Sequence, residues 1–414
     1  MIDSRRCAVL FALGWLGIVG CETSSDPGPA GSNPTGDASE STDGNHVGSE
    51  GGDGGGGDSG GGGGKEGGSD ATSGGDGGAP FTFLVYGDSR SDGSDCNGNQ
   101  NHIRVVTQMA KETGSSLTMH VGDIITGYAS RTCFTSNGDC TAPGQEGNVK
   151  SIIAPLQNRA PAPGLPVSFF PVIGNHDDNR GSGWYPDPCS GAQICDLFDL
   201  KKIITRPLPS NDPCGADYPD RAYYSFRHGG ALFVVLHVNS DDFSFFECNG
   251  APSPFQGCDD YCKNGPQDAV RTDRCYLVHQ YDWLKSELAA ADADPTVKHK
   301  FVFLHAPVYT SFEDHAPVVA SPQLKELYDQ FHVTMQFNGH NHTYERTFAI
   351  RAGAKAAGGT VYVTTSGGGV EMYSPRGDWF TAASAGVNHY MRVRVSTDVH
   401  VDAVDATGNV FDSF

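Results

Sequence analysis

The chain has 414 residues, 55 of them glycine, and 28 Lys plus Arg against 49 Asp plus Glu give it a net charge of −21. The glycines follow no three-residue period, which excludes a collagen-like rod. The acidic balance excludes a nucleic-acid binder driven by a basic face.

Arg5 and Arg6 precede an apolar run from Cys7 to Gly20. The run is shorter than the roughly 20 residues a transmembrane helix needs, and it suits a secretory leader. Its end, Ile18-Val19-Gly20-Cys21, resembles the bacterial lipobox. The resemblance implies a lipoprotein signal peptide over residues 1–20 and acylation of Cys21, hence a lipid anchor in a membrane. Glu22 in the next place implies the outer membrane, at its periplasmic or cell-surface face.

Residues 21–80 hold 22 of the 55 glycines, eleven acids and a single base, Lys65. So few large apolar side chains cannot offset the entropy of ordering, and this stretch is expected to be a disordered tether. A flexible chain of this length spans about 40–45 Å on average.

From residue 81 the pattern changes, and residues 81–414 are read as one large domain. Phe81–Tyr86 reads as a buried strand, and Asn101–Glu112 as a helix with Ile103, Val106 and Ala110 on its apolar face. Leu117–Val121 and Val167–Ile173 are further strands. Tyr223–Phe226 and Leu232–Val238 flank His228-Gly229-Gly230 as a hairpin. Tyr276–Ala291 is an amphipathic helix with Leu277, Tyr281, Leu284 and Leu288 on one stripe. Lys300–Leu304, Val333–Phe337 and Val361–Thr365 are strands, and Tyr390–Val404 is strand-rich.

Ten cysteines lie in this domain: Cys96, Cys133, Cys140, Cys189, Cys195, Cys214, Cys248, Cys258, Cys262 and Cys275. An even number in an exported chain reads as disulfides, with the connectivity open. They fall in loop-like stretches, so they are expected to staple insertions rather than the core.

Five apolar strands run out into polar residues at their C-terminal ends, where open α/β sheets bind ligands. The endings are Asp88, Asp123, Asn175 with His176, His305, and His340 with His342. Carboxylate, amide oxygen and neutral imidazole form a mixed ligand set that suits Fe, Zn or Mn. Gly87, Gly122, Gly174 and Gly339 each stand immediately before one of these endings, where a glycine lets the strand turn sharply.

The motifs GDSR at 87–90, GDIITGY at 122–128, GNHDD at 174–178, LHAPVY at 304–309 and GHNHTYERT at 339–347 resemble the calcineurin-like metallophosphoesterases, and within them the purple acid phosphatase branch. The resemblance implies a four-layer α/β/β/α sandwich of two mixed sheets. It implies two divalent or trivalent metal ions bridged by Asp123, one held by Asp88 and His342, the other by Asn175, His305 and His340. It also implies that a metal-bound hydroxide attacks a phosphoester substrate. His176 is placed to contact the phosphoryl oxygen or protonate the leaving group, with Asp177 or Asp178 orienting it. His315 resembles a substrate-loop histidine of the branch.

Two departures stand out. The superfamily has His two residues after its first Asp, where this chain has Arg90. The purple acid phosphatases have Tyr three residues after the bridging Asp, where this chain has Thr126; Tyr128 substitutes only if the loop rearranges. The first ion is thus one protein ligand short, no iron–tyrosinate colour is expected, and Arg90 is a candidate phosphate binder. The leading expectation is a phosphomonoesterase. A phosphodiesterase or nucleotidase, or a non-catalytic surface binding protein on a degenerate scaffold, remains open.

Overall fold

The computed structural model describes residues 78–90, 100–124, 149–177, 198, 200–204, 223–238, 269–312, 317 and 321–414, with the backbone alone for residues 201 and 269–279. The leader, Cys21, the tether up to residue 77, the ten cysteine side chains, Thr126, Tyr128, Asp178 and His315 lie outside the described residues or side chains.

Two mixed sheets form the centre. In the first, β1 (Phe81–Tyr86), β2 (Ser115–His120) and β3 (Phe169–Pro171) run parallel. On the other side of β1 lie β13 (His389–Val395), β14 (Val399–Asp405) and β15 (Val410–Ser413), all antiparallel to their neighbours. The second sheet has a parallel middle of β5 (Ala231–Val235), β6 (His299–Phe303), β7 (Met335–Asn338) and β11 (Val361–Thr365). Antiparallel β4 (Tyr224–His228) closes one edge, and β8 (Tyr344–Thr347) with β12 (Thr381–Ala385) closes the other. A two-residue pair, β9 (Ile350–Arg351) and β10 (Ala354–Lys355), stands apart.

The alternation of aromatic residues along these strands builds the interior. The Phe83 ring of the first sheet lies 5.1 Å from both Phe233 and Phe301 of the second, in edge-on contacts. Such pairs add about 0.5–1.5 kcal/mol each beyond the area they bury.

Helices α1 (Gln100–Ala110) and α2 (Val149–Gln157) share the apolar cluster of the first sheet through Val105, Val106, Met109, Ile152, Ile153 and Leu156. A single turn, α3 (Leu200–Ile203), adds Leu200 and Ile203 to it. On the far side, Leu284 and Leu288 of α4 (Ala269–Asp292) and Leu324, Leu327 and Tyr328 of α5 (Ser321–Gln330) pack with Val302, Leu304 and Tyr362. The result is the α/β/β/α sandwich that the motifs imply.

Several local expectations shift. Helix α1 buries His102, Val105, Val106 and Met109, so its inner face is rotated from the one marked by Ile103 and Ala110, which are half-buried. Polar His102 takes a core-facing place because its ring sits against Tyr86, 5.8 Å between centroids. Helix α2, with Pro155 inside it, has no counterpart in the sequence reading. The strand expected over Val167–Ile173 keeps only β3, and the one over Leu232–Val238 ends at Val235.

Candidate metal centre

The C-terminal ends of β1, β2, β3, β6 and β7 meet where the two sheets abut. The Asp88 N–H donates to the Gly122 carbonyl at 2.9 Å, and the Gly339 N–H donates to the His305 carbonyl at 3.0 Å. Across the sheets, the His340 N–H donates to the Asp88 carboxylate at 3.1 Å.

The polar residues themselves make the sharp bends. Asp88, Asp123 and His340 have φ of 55°, 54° and 72°, a left-handed backbone that is unfavourable for residues with a Cβ. Strain of this kind, of order 1–3 kcal/mol per residue, gathers where surrounding structure over-determines it. Among the four glycines expected to turn the strands, Gly122 alone has a left-handed φ, 96°. Gly174 serves close approach instead, since a Cβ there would collide with the backbone N and the carboxylate of Asp123.

One set of donors converges around Asn175. Its Oδ1 lies 2.9 Å from His305 Nε2 and 3.1 Å from His340 Nδ1. His305 Nε2 is also 3.2 Å from Asp123 Oδ1. His305 is fully buried, and its Nδ1 lies 2.8 Å from the Val121 carbonyl, which can only accept. In the neutral imidazole, Nδ1 therefore carries the proton and Nε2 presents a lone pair to two acceptor oxygens. Lone pairs facing one another in a dry site call for a cation; a buried imidazolium is the costly alternative. Asp88, Asp123 and His305 also place one ligand atom each within 4.8 Å of one another. These residues fit a metal ion.

A second set lies around Asp88, Asp123 and His342. His342 Nε2 is 3.8 Å from Asp88 Oδ1, and its ring stacks on Tyr373 at 4.5 Å. Arg90 enters between these groups, with Nε 3.4 Å from Asp123 Oδ2 and Nη2 3.4 Å from His342 Nε2. The backbone N–H groups of Ser89 and Arg90 both donate to the Asp123 carbonyl, which holds the loop against β2.

The two carboxylates titrate in opposite directions. Burial, then the Asp123 charge beside it, holds Asp88 well above the ordinary carboxylate range against the opposing pull of Arg90. Burial pushes Asp123 up too, but His305, His176, Arg90 and His340 together pull it down to about 2. Asp123 is thus the carboxylate that its neighbours hold ionised.

His176 stands at the mouth, with its side chain 37% exposed, its Nε2 3.9 Å from Asp123 Oδ2 and its backbone N–H donating to Asp123 Oδ1 at 3.0 Å. Asp177 is fully buried, and its two carboxylate oxygens accept the N–H groups of Ile124 and Gly174, each at 2.9 Å. That clamp ties the loop after β2 to the loop after β3, a duty the sequence reading did not assign to it.

Sequence reasoning also missed Tyr373, which stacks on His342, and Ser366, which is buried beside Asp88. The Gly368 N–H donates to the Gly87 carbonyl and the Val370 N–H to the Asp88 carbonyl, so residues 366–370 wrap behind β1. The run Ser366-Gly367-Gly368-Gly369 was the available signal.

A sandwich of two mixed sheets with Asp, Asn and His converging at its strand ends defines a class of metal-centred α/β proteins. Residues 81–344 match the family model described as calcineurin-like phosphoesterase, and the chain belongs to that family. Among curated relatives, purple acid phosphatase 23 of Arabidopsis thaliana is 34% identical over 149 residues, 36% of this chain and 25% of the relative. Purple acid phosphatase 18 of the same plant is 32% identical over 100 residues, 24% of this chain and 23% of the relative. The matched stretches thus span about a quarter of either relative. The structure of purple acid phosphatase PPD1 from yellow lupin (Lupinus luteus) seeds superposes with a TM-score of 0.53 at 16% identity, over 81% of this chain and 53% of that one. That likeness speaks for the fold.

Proposed function

We propose that the chain is a metal-dependent phosphoester hydrolase acting on phosphomonoesters. The observation that carries this reading is the convergence of His305 Nε2, Asn175 Oδ1 and Asp123 Oδ1 within 3.2 Å, with His305 Nδ1 held by the Val121 carbonyl. Asp123, Asn175, His305 and His340 would hold an ion of the Fe, Zn or Mn kind, and Asp88 with His342 would face the second position that the motifs imply. A bound ion supplies Lewis-acid polarisation of the phosphoryl group and acidifies water near neutral pH.

The chain's own residues do the rest. Asp123 anchors the site as a carboxylate, and its Oδ1 fixes the backbone of His176. His176, exposed at the mouth, gives a proton to the departing alkoxide oxygen from its imidazole. Arg90 directs N–H donors to the phosphoryl oxygens. Asp177 keeps the loops of Asp123 and Asn175 in register.

The test is turnover of p-nitrophenyl phosphate and bis-p-nitrophenyl phosphate by residues 80–414 loaded with Mn(II), Zn(II) or Fe, beside a chelated control. Hydrolysis of the monoester that is lost on chelation supports the reading. Preference for the diester moves the activity to a phosphodiesterase, and metal-free protein inert to both makes it a binding scaffold. Export and outer-membrane anchoring at Cys21 are proposed on the leader alone. Palmitate labelling that survives Cys21→Ala overturns them.

A further inference from the structure

We propose that the guanidinium of Arg90 takes the place of the first metal ion, so that this centre holds one ion, at the position formed by Asp123, Asn175, His305 and His340. The inference rests on the metal-hydrolase reading above and changes its stoichiometry.

The geometry is that of a cation already in place. An ion at the first position has to reach Asp88, Asp123 and His342. Arg90 stands beside two of the three, with Nε 3.4 Å from Asp123 Oδ2 and Nη2 3.4 Å from His342 Nε2. Its side chain is 14% exposed, and its backbone N–H is bonded to the Asp123 carbonyl at 3.1 Å, so the side chain starts from the floor of the site.

A guanidinium stays charged at every working pH and offers five N–H donors in a planar fork. Placed between a carboxylate and an imidazole, it puts a fixed positive charge against the first and a donor against the second. At the other position Asn175 Oδ1 and Asp123 Oδ1 lie 2.9 and 3.2 Å from His305 Nε2, and Asn175 Oδ1 lies 3.1 Å from His340 Nδ1. The two halves therefore differ in kind: one gathers oxygen and imidazole groups, the other holds a guanidinium attached to the chain.

The charge balance agrees. Two carboxylates, one divalent ion and one guanidinium leave a single net positive charge for a phosphate dianion. A second divalent ion would bring the cations in the pocket to three against two carboxylates, which Coulomb repulsion opposes.

The experiment is metal counting. Wild-type protein is dialysed against Mn(II), passed through a desalting column and analysed by plasma mass spectrometry and electron paramagnetic resonance. The expected result is one Mn(II) per chain with the six-line spectrum of an isolated ion. Arg90→His supplies an imidazole in place of the fork and should hold two Mn(II), with an exchange-coupled spectrum. His342→Ala should keep the single ion, and His305→Ala should lose it. These two variants keep the test valid if Arg90→His fails to fold, which circular dichroism checks. Two ions in wild type overturn the inference and leave the hydrolase reading intact. One ion in both wild type and Arg90→His overturns the role of the guanidinium. No ion in any of them overturns both.

Discussion

The two halves of the centre are built from the same kinds of strand end, yet they reach opposite electrostatic solutions. Around Asn175 the chain leaves oxygen and nitrogen lone pairs 2.9–3.2 Å apart and fixes them from behind with a backbone carbonyl. Around His342 it inserts Arg90, and the His340 N–H donates to the Asp88 carboxylate. A site of this sort needs positive charge at both ends, and a protein can supply it as an ion or as a side chain. An ion binds tightly and acidifies water; a guanidinium is permanent but only donates hydrogen bonds.

The largest expected contrast is between the two histidines. His305→Ala removes the buried imidazole that touches both Asn175 and Asp123, and it should abolish retained metal and lower kcat/KM by about 10³-fold or more. His342→Ala removes a partner of Arg90 and of the Tyr373 ring, and it should keep the metal and lower kcat/KM by roughly 10–100-fold, the size of an outer-layer effect. Equal metal loss in the two variants would erase the difference between the halves.

Acid should loosen the structure around β1, because buried neutral histidines pack there. His102 packs on Tyr86 of β1, and burial lowers its pKa from 6.5 to about 3. His389, whose N–H donates to the Gly367 carbonyl in the segment behind β1, is lowered by burial to about 4. Both stay neutral in the folded chain and become protonated in the unfolded one below pH 6.5. The unfolded state therefore binds more protons, and stability must rise with pH over the window from about 4 to 6.5. Each group should remove about 2 kcal/mol on going from neutral pH to pH 5. Thermal melts between pH 7 and pH 4 measure this. His102→Gln should flatten the slope, and a melting temperature independent of pH across that window would contradict it.

Much of this centre was legible because each candidate residue follows an apolar run and sits at the end of a strand. Asp88, Asp123, Asn175, His305 and His340 are brought together by sheet order alone, and the motifs carry the order. What was not legible depends on partners distant in the chain. The left-handed backbone at Asp88, Asp123 and His340 has no compositional mark, since the glycines beside them drew the attention. Asp177 reads like a catalytic neighbour of His176, and the clamp it also makes on two backbone N–H groups, one of them 53 residues earlier, carried no mark in the sequence. The inner face of α1 was misjudged because a histidine, His102, occupies a core position that periodicity assigns to apolar residues. Arg90 was visible as a departure from a pattern, but only the structure places its fork between Asp123 and His342.

The smallest effect expected sharpens the comparison from the side of the wall. Tyr373 stacks on His342 at 4.5 Å with an interplanar angle of 22°, and its N–H donates to the His342 carbonyl at 2.7 Å. Phe312 stacks on the other side of Tyr373 at 4.8 Å, so the ring holds His342 upright against the Arg90 fork. An offset stack of this kind is worth about 0.5–1.5 kcal/mol. Tyr373→Leu keeps the backbone bond and most of the buried area while removing the stack, so kcat/KM should fall about 3–10-fold at 298 K. Metal content and its spectrum should not change, because the ring stacks on His342, on the Arg90 side of the centre. A loss of metal in Tyr373→Leu would mean that the two halves are coupled through the wall, and that the division between an ion on one side and a guanidinium on the other is drawn too sharply.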